Sequence, residues 1–545
     1  MSATPDARDS DGASTPSPAI ALRARIAELL GACRATDVLA DAVALGAVLA
    51  IFAIFSRAFL YSPIGFDEQY FLSEGFAFGK GLVPYRDFQE FKPPLVFLLN
   101  MLALKLFGVD GMRYRYFFTL LAACAFALLA VALLRRRVPR LLVVGLMALM
   151  LNTFFDNRLH DASTLNTSET AGLCFFFLGV GVLLLRTNRP ALRQGLGGAL
   201  LALAPLGKEP FVFPTLLGWL ALIQLTRVES EDPDAWKAFA KRTCAGALAV
   251  AGIWLLYMLV TRSLGWYLLQ LRETMRYSAD HNEMYGVFPK LPFFATWAEC
   301  WRRLEAKYVN QAYLAPFVPF YAAALLLWPR RSGRAMGASI AATFLGALYA
   351  VTIGHGFFGH YFLMALSGTF FAACLGAVAL AQPLRAVDVR WRRWAVAGLA
   401  GMSLYTLQPR ISHDAAAWST FKPGAPPVSE RLVELVKRRS KPDDKIWNVG
   451  FPGIYVFADR RPASRIPYVH DSLLHIYPGE TDAERLAPYR VELDAHMPKL
   501  VILSEGAKGR EKHMDLLITP FLRDHGYRLV EERPPTEVPV YERPY

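Results

Sequence analysis

The stretch YSPIGFDEQYFLSEGFAFGKGLVPYRDFQEFKPPL, residues 61–95, decides how the chain is read. It is polar and aromatic, and it lies between hydrophobic runs long enough to enter a bilayer. It carries Asp67, Glu68, Glu74, Lys80, Arg86, Asp87, Glu90 and Lys92 in a chain that otherwise keeps its charge in loops. Ionisable groups clustered at a membrane boundary are costly, so a functional site is the first expectation there.

The composition around the stretch supports that setting. Of 545 residues, 54% are hydrophobic and only 19% charged, too apolar for a typical soluble protein. At about 20 apolar residues per span, residues 39–409 accommodate roughly 11–13 transmembrane helices. Residues 1–38 are rich in Ser, Pro, Ala and Asp, which predicts a disordered cytoplasmic tail with a short amphipathic helix near Leu22 to Leu30 and no cleavable signal peptide. Residues 410–545 have the composition of a soluble domain. Apolar runs at 445–450, 454–458 and 499–504 read as strands, and 428–439 and 512–524 as helices, which gives a small external α/β domain.

The net charge of +13 does not point to nucleic acid. Arginines gather in short loops, at Arg135, Arg136, Arg137 and at Arg330, Arg331, Arg334, which is the pattern of cytoplasmic membrane loops. The six scattered cysteines imply neither a metal site nor a disulfide framework.

This charge rule orders the spans. Residues 39–60 run outward and leave the 61–95 stretch outside. Residues 93–108 and 113–134 are read as one net crossing, the first part re-entrant or shallow, with two full spans left open; only one net crossing returns Arg135 to Arg140 to the cytoplasm. Then 141–155 run outward to the polar loop DNRLHDASTLNTSE (156–169), and 171–185 run inward. Next, 196–206 and 210–226 form a hairpin turning at GKEP, and 243–260 run outward to an external segment reaching about Asn310. Finally 311–328, 336–353, 363–381 and 394–408 alternate, with HGFFGHYF (355–362) at the outer face.

An acidic pair beside a membrane suits the deprotonation of an acceptor hydroxyl while nearby cations hold an anionic lipid-linked leaving group. In the 61–95 stretch Asp67 is placed for the first task and Lys92 for the second, with Pro93 and Pro94 fixing where the backbone re-enters the membrane. Asp67 and Glu68 compete with a bland alternative, ion pairing to Lys80 or Arg86. Glu169 and His160 read equally as a solvated turn or a site. Lys208 and Glu209 interrupt an apolar hairpin and are expected to pair with each other.

The pattern FDEQY (66–70) followed by KPPL (92–95) resembles the polyprenyl-phosphate-sugar-dependent glycosyltransferases of the C-type membrane (GT-C) fold, which include protein O-mannosyltransferases and bacterial lipid A aminoarabinose transferases. NTSETAGLCFFFL (166–178), GGALLALAPLGKEPFVFP (197–214), HYF (360–362) and IWNVGFPGIYVFADRRPASRIPY (446–468) extend the likeness over nearly the whole chain after the tail. The resemblance implies that Asp67 is the catalytic base, that Lys92 and His360 bind the donor phosphate, and that Glu68, Glu169, His355 and Tyr361 line the site. It implies an inverting transfer of a sugar from a polyprenyl-phosphate donor to a hydroxyl acceptor (an envelope glycolipid such as lipopolysaccharide, a polysaccharide, or a protein) on the periplasmic side of the inner membrane. No organic cofactor is needed, and a divalent metal is not expected. The rival reading is a transporter or flippase of lipid-linked sugars, which predicts charges spread through the spans and pseudo-repeated halves.

Overall fold

A computed structural model describes residues 35–62, 64–90, 92–156, 160, 164–272, 317–328, 330–353, 359–405, 430–450, 452–466, 477, 479–503, 514–530 and 538–544, with isolated positions 298 and 302. The expected N-terminal tail and amphipathic helix, most of the external segment after 272, and His355 lie outside the described residues.

The bundle begins with α1 (Ala35–Tyr61), α2 (Phe66–Gly79), α3 (Leu95–Phe107), α4 (Arg115–Arg135), α5 (Arg140–Phe154) and α6 (Ser168–Leu184). It continues with α7 (Pro190–Gly207), α8 (Val212–Glu229), α9 (Ala235–Val260), α10 (Val318–Leu326), α11 (Arg330–Thr352), α12 (Phe362–Ala386) and α13 (Val389–Tyr405). Among the described residues six helices are long and apolar enough to cross a membrane, and three shorter apolar ones accompany them, so this is a multi-pass membrane protein. Helix α12 lies at the centre, 94% of its apolar window being buried. With lipid as apolar as leucine, such packing depends on close fit rather than on escape from water. Small residues provide that fit where α7 crosses α9: a Cβ at Gly198 would run into the Thr243 carbonyl.

Side-chain contacts fix which helix ends share a level. The Arg115 guanidinium at the start of α4 donates to the Ser62 carbonyl just past α1, at 2.6 Å. Everything between these positions, α2 and α3 included, therefore leaves and returns at one face, and residues 93–134 make one net crossing. Helix α3 has 13 residues. It is about 20 Å long against a hydrocarbon core of about 30 Å. Its Asn100 exchanges hydrogen bonds with Asn166, just ahead of α6, at 3.0 and 2.7 Å. A Cβ at Gly75 would collide with Asn100, so α2 and α3 approach backbone to backbone at that level.

The C-terminal part begins with α14 (Glu430–Arg439), β1 (Lys445–Asn448), α15 (Gly453–Ala458) and β2 (Arg461–Pro462). It continues with α16 (Asp482–His496), β3 (Leu500–Ile502), α17 (Thr519–Asp524), β4 (Arg528–Leu529) and β5 (Val540–Glu542). The sheet order is β2-β1-β3-β5-β4, with β1 parallel to β2 and β3, and β5 antiparallel to β3 and β4.

One expected strand is corrected. Residues 454–458 (IYVFA) belong to helix α15, closed by Asp459 in the left-handed region (φ 56°). Ile454, Tyr455, Val456 and Ala458 are all buried, and a short apolar run without a polar face carries no period to separate helix from strand. Two elements differ from the reading in other ways. Helix α16 was not anticipated, although Thr481 and Glu484 form its capping box; Pro488 in its interior hides it. The expected 512–524 helix is a π turn, Met514–Ile518, leading into α17.

This part sits on the 61–95 stretch. Tyr70, Phe71, Tyr85, Phe88 and Phe97 share one core with Trp447, Leu493 and Phe521. The Gln89 N–H donates to the Arg465 carbonyl (2.8 Å), the Arg465 guanidinium donates to the Tyr85 carbonyl (3.2 Å), and Lys80 pairs with Asp459 (2.6 Å).

Candidate active site

Asp67 and Glu68 stand side by side in the first turn of α2, where carboxylates complement the helix dipole. A helical step of about 100° turns them to different faces. Glu68 points into the bundle. It is fully buried and takes Arg115 through both oxygens (2.8 and 2.6 Å) and the Tyr114 hydroxyl (3.0 Å). Its partner is therefore Arg115, not Lys80 or Arg86, which are paired with Asp459 and Asp87. Asp67 is half-buried and makes no hydrogen bond or ion pair with any described residue. It shares a face with Glu74, two turns on and about 10 Å along the axis.

Glu74 opens the charged cluster. Its carboxyl is buried against that of Glu90, within the field of Lys92. Burial first, and then Glu90, pushes Glu74 well above the usual carboxylate range. Lys92 is held from both sides by its backbone. Its N–H donates to Glu90 Oε1 (2.7 Å) and its carbonyl accepts from the Tyr85 hydroxyl (2.9 Å). The Lys92 ammonium forms no ion pair with any described residue, so the loop is clamped while the cation is presented.

Opposite it lie the start of α6, the α7–α8 turn and the 359–361 turn. Lys208 Nζ pairs with Glu169 at 2.9 Å and stands 4.9 Å from the centre of the Tyr361 ring. Lys208 thus bonds across the bundle rather than to its neighbour Glu209, which corrects the pairing expected from sequence. Lys92 and His360 both act electrostatically on Glu169, and Lys92 on Glu209. The His360 ring meets Tyr361 edge to face at 4.8 Å. Lys92, Lys208 and His360 therefore gather around Glu169.

His160 is neither a solvated turn nor a member of this cluster. It is buried, and its ring nitrogens face the Thr164 and Phe154 carbonyls at 3.1 and 2.6 Å. Sequence reasoning missed Lys208 as a member and Arg115 as the partner of Glu68. A lysine inside an apolar hairpin was a usable signal for the first. The second spans 47 residues and had none.

No family model matches the chain, and no curated protein is similar to it by sequence. Solved structures are similar in fold. The crystal structure of ArnT from Cupriavidus metallidurans bound to undecaprenyl phosphate matches at TM-score 0.54 and 12% identity, covering 92% of this chain and 97% of that one. The same protein in the apo state matches at TM-score 0.55 and 11% identity with the same coverage. The Archaeoglobus fulgidus oligosaccharyltransferase in complex with Zn and sulfate matches at TM-score 0.44 and 12% identity, over 91% of this chain and 73% of that one. This chain has the GT-C fold, which it shares with ArnT along nearly the full length of both.

Proposed function

We propose that the protein is an inverting glycosyltransferase that moves a sugar from a polyprenyl-phosphate carrier to a hydroxyl acceptor of the cell envelope. The observation that carries this reading is a carboxylate with no partner among the described residues, Asp67 at the start of α2, in a fold that also gathers Lys92, Lys208 and His360 about Glu169. Asp67 accepts the proton of the acceptor hydroxyl as its oxygen bonds to the anomeric carbon. The bond from that carbon to the phosphate oxygen breaks, and the phosphate leaves with its charge held by Lys92, His360 and Lys208. The lysine ammoniums offer three donors each, so Lys208 can serve Glu169 and a phosphate together. The leaving group is already a good one, so positioning and charge neutralisation supply the rest without an organic cofactor. Glu169 and Tyr361 set the Lys208 position, while Glu68 anchors α2.

The arginine-rich end of the bundle is assigned to the cytoplasm by the positive-inside rule, which puts the site and the C-terminal domain in the periplasm and the chain in the inner membrane. ArnT, with undecaprenyl phosphate bound on the same fold, supports a donor of that class. The test is transfer from radiolabelled polyprenyl-phosphate sugars to envelope extracts by purified protein. Labelling that disappears with Asp67→Asn supports the reading, and labelling unchanged by it removes Asp67 from the chemistry. Lipid movement without transfer favours a flippase instead.

A further inference from the structure

A cleft of about 590 Å³ opens between the first loop and the C-terminal sheet. Its walls carry Arg86, Lys445, Arg461 and Arg465 against two carboxylates, Asp87 and Glu492. Both carboxylates are engaged. Asp87 takes Arg86 through both oxygens (2.7 and 2.8 Å) and the Val83 N–H (2.9 Å). Glu492 takes the Arg465 N–H (2.6 Å) and the Tyr477 hydroxyl. The Lys445 and Arg461 side chains have no hydrogen-bonded or ion-paired partner among the described residues.

These two cations are register partners on the adjacent parallel strands β1 and β2, and both face the cleft. Like charges directly opposite on neighbouring strands destabilise a sheet. Burial first, and then Arg461 alongside, pushes the Lys445 ammonium below the ordinary lysine range, with Glu492 opposing. A sheet that places two cations abreast at the wall of a cavity, with its carboxylates spent elsewhere, is arranged for an anion from outside. A single carboxylate matches one of the charges. A phosphate carries close to two, and an arginine fork fits its oxygens.

We propose that this cleft is a binding site for a phosphate-bearing ligand, held between Lys445 and Arg461. It is separate from the cluster around Glu169, yet Arg86 on its wall is six residues from Lys92, at most about 20 Å of chain. The inference does not depend on the transferase reading.

The test uses the full chain in neutral detergent, with pyrophosphate as the soluble probe and lysophosphatidic acid as the lipid one. Binding and thermal stability are measured in a Lys92→Ala background that weakens the other phosphate-attracting cluster. The double variant Lys445→Gln, Arg461→Gln is expected to weaken binding at least about tenfold and to abolish the ligand-induced rise in melting temperature. Without ligand it is expected to melt at or above its parent, because the facing charges are gone; this shows that it folds. Stabilisation by lysophosphatidic acid alone identifies a lipid headgroup, and by pyrophosphate alone a soluble phosphate. Equal binding by parent and double variant, or no binding of either probe by the parent, overturns the proposal.

Discussion

The two ends of the helical bundle differ in how much of their charge is paired off. At the arginine-rich end several guanidiniums tidy helix termini. Arg136 caps the Leu184 carbonyl at 2.7 Å and bonds Glu229. Arg140 ties Asp37 and Asp41 at the start of α1, Arg193 takes the Leu185 carbonyl, and Arg385 takes those of Arg136 and Arg137. Helix C-termini leave carbonyls without partners, and cations there are the ordinary remedy. At the other end Arg115 closes the end of α1 in the same way, but Lys92, Lys208 and His360 gather around a buried carboxylate, and Lys92 and Asp67 form no ion pair with any described residue.

That contrast can be broken experimentally, beginning with neighbours. Asp67→Asn is expected to lower transfer about 10²–10⁴-fold, the usual worth of a positioned base, while leaving the melting temperature in place. Arg115→Ala, which strands the buried Glu68, is expected to cost about 3–5 kcal/mol of stability, seen as a collapse of the melting transition in detergent. If Arg115→Ala were benign and Asp67→Asn unfolded the protein, the assignment of the two carboxylates would be reversed.

Lys92→Ala is expected to weaken donor affinity about 10–100-fold, the loss of one charge-assisted contact of about 1.5–3 kcal/mol, with little change in melting temperature. Glu74 gives a pH signature. Its carboxyl is raised in the folded state, so folding takes up a proton above the unfolded value of about 4.3, and stability falls as pH climbs from there toward the folded value. Glu74→Gln removes that decline. Melting temperatures taken from about pH 5 to about pH 8 should show the variant gaining on the wild type as pH rises. The smallest effect is expected at the arginine-rich end, where Arg140→Ala breaks two half-exposed pairs and should cost no more than about 1 kcal/mol.

Much of this was legible in the chain. Arginine placement pointed to the single net crossing over 93–134, because loop charge is a local property of sequence. The acidic stretch and KPPL were visible for the same reason. What stayed hidden was pairing over distance: Glu68 with Arg115, and Lys208 with Glu169 rather than with Glu209. The run at 454–458 was misread because burial on every side leaves no periodic signal.

Sequence alone determined that the protein is a multi-pass helical membrane protein with a charged loop at one face and a mixed domain beyond it, since hydropathy, loop charge and turn residues act over a few residues at a time. Only the tertiary structure decided which of two adjacent carboxylates is spent on the fold, Glu68, and which makes no pair with a described residue, Asp67. A helical step turns one toward Arg115 and the other away, and the identity of what each meets is set by helices far along the chain.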